Sequence, residues 1–133
     1  MSGEIYGAKS VTSATNVTLT TTTETVIVTS DPIHLTYPSQ RFIIIAYVQL
    51  TTGAGTTTVT PRIRRTALVG GALVGEANAE TIKVTAGGTE PFFIMVSEER
   101  TGVESVVYSL TLAQASATGD GTALQATILV IEA

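Results

Sequence analysis

Histidine occurs once, at His34, aspartate twice, at Asp31 and Asp120, and cysteine not at all. A hydrolytic triad would need His34 to act as base under one of those two aspartates. Both stand in turns beside Pro or Gly, where Asp commonly bonds its own backbone, so a structural or solvent role is expected for His34. One histidine and no cysteine leave no thiolate or multi-histidine zinc site. Calcium needs several oxygens converging from one loop. Thr118-Gly119-Asp120-Gly121-Thr122 offers a single carboxylate and reads as a hairpin turn. Glu98 and Glu99 are adjacent, so on an extended chain they diverge, and nothing suggests the paired carboxylates of a glycosidase. No catalytic, cofactor or metal site is expected, and the chain is expected not to be an enzyme.

Two features remain that could make contacts. Arg62, Arg64 and Arg65 form the sole basic cluster. On a strand Arg62 and Arg64 share one face, while Arg65 joins Ile63 on the other. They could dock a partner or a neighbouring subunit through ion pairs, or simply solvate an edge strand. A phosphate role is weaker, because no aromatic or further basic residues interleave with them. The seven aromatics include no Trp, so the flat platforms common in sugar-binding modules are scarce. The net charge of −4 argues against nucleic acid or an anionic membrane as partner. Asn16-Val17-Thr18 matches a glycosylation sequon, but no secretion signal is read at the N-terminus.

The elements that must carry these residues are strands. Thr, Val and Ile make up 50 of 133 residues, and such side chains pack well on a pleated surface. Residues 1–15 read as an arm or loose first strand, and residues 16–133 as one β-sandwich domain. Residues 16–29 alternate through Val17, Leu19, Val26 and Val28, and a short strand follows from Ile33. Arg41 to Thr52 is apolar on both parities: Phe42, Ile44, Ala46, Val48 and Leu50 against Ile43, Ile45 and Tyr47. Such a strand is buried on both faces, or buries one face against a neighbouring subunit. Gly53-Ala54-Gly55 reads as a hairpin loop leading to residues 56–67, where Pro61 suggests an edge or a bulge. ALVG-G-ALVG, residues 67–75, is a near-duplication expected at a hairpin tip or mobile loop. Residues 79–86 and 90–97 read as a second hairpin, residues 98–102 as a charged turn, and residues 103–117 with 122–132 as a third hairpin. Within the last, Val106, Tyr108, Leu110 and Leu112 share a face, which places Tyr108 in the core and Ser109 on a wet face.

The count is eight or nine strands with no helix beyond a turn or two: an all-β antiparallel sandwich, expected to be a jelly roll. Charged residues are only 14% of the chain, so a monomer would expose part of its apolar surface. Ile43, Ile45, Tyr47, Leu129 and Ile131 are therefore candidate interface residues, with Arg62, Arg64 and Arg65 beside them. A stable homo-oligomer is expected. The longest apolar run, Phe42 to Val48, is far below the roughly 20 residues of a membrane-spanning helix.

RFIIIAYVQLTTGAGTTTVTPRIRR (41–65) and ESVVYSLTLAQASATGDGTALQATILVIE (104–132) resemble the Thr-rich jelly-roll subunits on virions of tailed bacteriophages. These are capsid decoration (cement) and small tail-associated proteins, many of them trimeric. The likeness covers about residues 24–132 and is one of texture, so it transfers no residue role. It implies a structural virion protein, assembled in a host cytoplasm, that sits as a homotrimer on the major capsid or another virion protein and braces it. The alternative is a receptor- or glycan-binding β-module of a phage tail or cell surface.

Overall fold

The computed structural model describes residues 8–19, 22–35, 39–53, 55–66, 70–75, 81–101, 105–115 and 121–132. Among them there is no helix. The strands are β1 (Ala8–Thr18), β2 (Thr25–Thr29), β3 (Ile33–His34), β4 (Ser39–Thr52), β5 (Thr57–Arg65), β6 (Ala72–Leu73), β7 (Ile82–Val84), β8 (Thr89–Thr101), β9 (Ser105–Val106), β10 (Ser109–Gln114) and β11 (Gly121–Glu132). One sheet has the order β1-β11-β4-β8. The other runs β2-β10-β5, with β6 and β7 both pairing β5 on its remaining side. A two-residue ribbon, β3 with β9, stands apart. All pairings are antiparallel.

Because β6 meets Arg64 and Arg65 while β7 meets Thr57 to Val59, the two form one interrupted strand. Counted so, the sandwich has eight strands in two sheets of four, and the chain crosses between sheets at nearly every connection. That is the jelly-roll order.

The crossing overturns three of the expected hairpins, while β5 and β6, which flank the first half of the ALVG repeat, do pair as antiparallel neighbours. β4 and β5, joined through Gly53-Ala54-Gly55, lie in different sheets, as do β7 and β8, and β10 and β11. Residues 16–29 are likewise not one strand, because residues 16–18 end β1 and residues 25–29 form β2 in the other sheet. Residues 98–101, expected as a turn, continue β8. Pro61 lies in an interior strand rather than at an edge. Its register partner is Leu112, and on the other side the bridges to β6 and β7 fall at residues 64–65 and 57–59, clear of its missing N–H. Residues 67–69 of the ALVG repeat, residues 1–7 of the expected arm, and Asp120 lie outside the described residues. The second half supplies β6 and the buried Val74, whose N–H donates to the Ile63 carbonyl at 2.9 Å. Gly75 follows at φ +81°, and a Cβ there would stand 2.6 Å from the Val96 side chain, so only glycine fits.

The core lies between the sheets. In β4 the even residues Phe42, Ile44, Ala46, Val48 and Leu50 are fully buried, and the odd ones are half-exposed or exposed. Register pairs a large side chain with a small one along this inner face: Leu50 with Ala123, Val48 with Ala126, Ala46 with Ile128. A bulge at Leu124 lets both Ala123 and Ala126 point inward, three residues apart. From the facing sheet Val59, Ile63, Tyr108, Leu110 and Leu112 close the core. Each large side chain so buried contributes roughly 1.5–3 kcal/mol.

β10 is covered on both faces, so Ser109 is not on a wet one. Ser109 and Thr111 are as fully buried as Leu110. The Ser109 hydroxyl donates to the Thr66 carbonyl at 2.6 Å. The cover over this outer side is ionic. Glu24, just before β2, reaches across β10 to Arg62 at 3.2 Å and to Arg64 on β5, whose Nη2 donates at 2.9 Å.

Candidate functional site

The two sheets differ on their outward sides, and the difference locates the site. On the β2-β10-β5 sheet the outward charges are paired with one another. Burial pushes the Glu24 carboxyl up, but the hydrogen bond from Arg64 and the charges of Arg64 and Arg62 outweigh it. They hold the carboxyl below its ordinary value of 4.5. Arg64 also donates to the Gly71 carbonyl at 2.6 Å. Arg65 points the other way, into the rim between the sheets. There its Nε donates to Glu98 of β8 at 2.7 Å, and Tyr108 donates to the second Glu98 oxygen at 2.7 Å. The three arginines are thus held by carboxylates of their own chain.

A test of the Glu24 clasp follows from the sign of its shift. A carboxyl lowered in the folded state stabilises it at neutral pH and loses that contribution as pH falls through the folded value. Glu24→Gln should cost about 2–3 kcal/mol near pH 7, a little less than a fully buried pair because its side chain keeps some exposure. Denaturant melts from neutral to acid pH should show the gap to the parent closing; a constant gap would contradict the clasp.

On the outward side of the β1-β11-β4-β8 sheet nothing comparable exists. Register sets Val11, Leu129, Ile45 and Met95 in one row across the four strands. The next row is Ser13, Thr127, Tyr47 and Phe93, and a row on the other side holds Ile131, Ile43 and Ser97. Phe93 is 70% exposed, Met95 68% and Val11 59%. Among the described side chains no charge interrupts these rows. The first one met is the exposed Arg41–Glu99 pair, at 3.6 Å, beyond Ile43. With strands about 4.8 Å apart and rows about 6.8 Å apart, the three rows, with Ser13, Thr127 and Ser97 among them, span roughly 400 Å². The Tyr47 and Phe93 rings touch, centroids 5.4 Å apart and planes tilted by 59°. A cavity of about 230 Å³ opens between Ile43, Met95, Val96 and Ser97, on the other side of the Ile45–Met95 row.

The structure therefore gathers Ile43, Ile45, Tyr47, Leu129 and Ile131 on one face and leaves Arg62, Arg64 and Arg65 elsewhere. Val11, Phe93 and Met95 complete that face and were not among the expected residues. Residues 92–96 carry the same signal as residues 42–50, apolar on both parities, and could have been read the same way. Val11 sits in a polar stretch and has no such signal.

The groups considered for chemistry do not converge. His34 and Asp31 are exposed. His34 faces Ser105 across the β3–β9 ribbon, but no side-chain hydrogen bond joins them. Among the described residues no three His, Asp or Glu side chains are grouped to hold a metal ion.

No protein-family model matches the sequence, and no curated protein does. Among solved structures, the chain is similar to Eiger TNF from S. frugiperda, with TM-score 0.44 and 5% identity over 92% of this chain and 91% of that one. It is similar to a chain of infectious bursal disease virus, Gx strain, with TM-score 0.48 and 11% identity over 92% of this chain and 32% of that one. The CBM22-1 xylan-binding domain of Paenibacillus barcinonensis Xyn10C gives TM-score 0.36 and 11% identity over 99% of both chains. The fold assignment rests on the strand order itself.

Proposed function

We propose that this chain is a non-enzymatic structural subunit that self-associates through the outer face of the β1-β11-β4-β8 sheet. In the full reading it is a homotrimer seated on a virion, a capsid decoration or cement protein that braces the major capsid protein. The observation that carries self-association is the uncharged apolar face with Phe93 and Met95 standing out from it. A mainly apolar patch that takes up most of this roughly 400 Å² is within the range where surface patches on monomers are functional. Including the polar rows on either side, the outward surface of β4 and its neighbours reaches roughly 800 Å², the share each partner gives to a stable interface. The virion setting is supported by the resemblance of residues 41–65 and 104–132 to phage subunits.

The second reading, a glycan-binding module, draws on one observation, the exposed Tyr47–Phe93 pair. Sugar recognition also needs polar groups beside the ring that reach the hydroxyls. On one side the pair is bordered by Ile45 and Met95, and on the other by Gln49 and Pro91, with Thr127 beside Tyr47 in its own row. A glycan array probed with the parent and with Phe93→Ala separates the two readings. Self-association expects no glycan signal from either; saturable binding abolished by Phe93→Ala would establish the glycan module instead.

A further inference from the structure

Met95 carries the one sulfur among the described residues, since the chain has no cysteine and its other methionine is Met1. In the single chain Met95 is 68% exposed, so that sulfur is open to solvent. It stands opposite Ile45 in the row that continues to Leu129 and Val11. Its neighbours on the same side of β8 are Phe93 and Ser97, and with Ile43 and Ser97 it borders the cavity of about 230 Å³. An unbranched thioether is soft and adaptable, which suits a side chain that must fill an irregular gap in an apolar contact. Its oxidised form does not suit that place. A sulfoxide is polar and chiral, and taking it from water into an apolar contact is costly unless donors replace its hydration. The side chains of Ile43, Ile45 and Phe93 can donate nothing to it. The hydroxyls of Ser97 and, on the diagonal, Tyr47 could return only part of what water supplied.

We propose that Met95 is a redox switch on self-association: a peroxide oxidises it in the free chain, and the sulfoxide form no longer buries this face well. The sulfur lone pair attacks one peroxide oxygen, and the S–O bond forms as the O–O bond breaks. Sulfur gives up two electrons and the peroxide takes them. The leaving hydroxide collects the proton of the sulfur-bound oxygen and departs as water. The switch rests on the self-association proposed above and gives it a direction of control. Assembly covers the sulfur and protects it, while oxidation holds the chains apart.

The test treats the full chain with hydrogen peroxide until peptide mass spectra show Met95 as the sulfoxide. Sedimentation over a dilution series then compares it with untreated protein. The expected result is self-association weakened about tenfold or more. Methionine sulfoxide reductases A and B, which together return both sulfoxide epimers to the thioether, should restore it. Met95→Leu has no sulfur at this position, so its association constant, whatever its size, should be the same before and after peroxide. A loss on peroxide treatment of Met95→Leu would overturn the switch by placing the effect elsewhere in the chain. Oxidation of Met95 in the parent should also run more slowly in protein concentrated enough to assemble than in dilute protein. If untreated protein assembles and the sulfoxide form assembles as tightly, the switch is overturned while the face stands as the interface. If untreated protein stays a monomer throughout the range, the self-association reading fails and the switch fails with it.

Discussion

Replacing Tyr108 by alanine should cost about 3–5 kcal/mol of folding stability, the range for large aromatic truncations in a packed core. Tyr108 is fully buried and packs edge-on against Phe42 of the facing sheet, centroids 6.3 Å apart. Its hydroxyl is the inner member of the Arg65–Glu98–Tyr108 chain that ties the two sheets together. Burial, and then the hydrogen bond to Glu98 and the charge of that carboxylate, push the phenol far above its ordinary value. Because the folded value is raised, this contribution is complete below about pH 10, the unfolded value, and is lost as pH climbs beyond it. Tyr108→Phe keeps the ring and should cost about 1–2 kcal/mol, since only the hydrogen bond goes. Guanidinium melts of the parent and both variants measure this, and ultraviolet titration should show one tyrosine ionising only as the protein unfolds. A loss below about 1 kcal/mol for Tyr108→Ala would remove Tyr108 from the core.

The double change Phe93→Glu with Met95→Glu should weaken self-association at least a hundredfold, about 3 kcal/mol, while the fold persists. Both side chains are mostly exposed in the single chain, so each exchange should change folding stability by about 0.5 kcal/mol or less. In an assembly that covers this face, each glutamate would be desolvated among Ile45, Tyr47 and Leu129 without a partner. Circular dichroism establishes that the variant is folded, and light scattering gives its mass across a dilution series. A folded variant that keeps the parent's mass would show that this face is not the interface.

The sequence announced its strands far better than their partners. Period-two alternation located the core-facing side of β10, Leu110 and Leu112, because burial against the core acts on every second residue. Pairing is a different matter. Turn residues such as Gly53 and Gly55 show where a strand ends, but a hairpin and a crossover to the facing sheet use the same turn chemistry. One local clue was present: the apolar parity changes from odd at Val17 and Leu19 to even at Val26 and Val28, and the chain changes sheets between them. The site divided in the same way. Apolar residues on both parities of residues 42–50 identified Ile43, Ile45 and Tyr47 as surplus to the core. The arginines, by contrast, could not be assigned from spacing, since their partners Glu24 and Glu98 lie 33 or more residues away in sequence.

The central claim is that the bare outer face of the β1-β11-β4-β8 sheet is covered by further copies of this chain. Sedimentation equilibrium of the unmodified protein at micromolar concentration tests it most directly. The account expects a mass that is a whole multiple of 13.8 kDa, threefold for the trimer. A single species of 13.8 kDa throughout that range would contradict it.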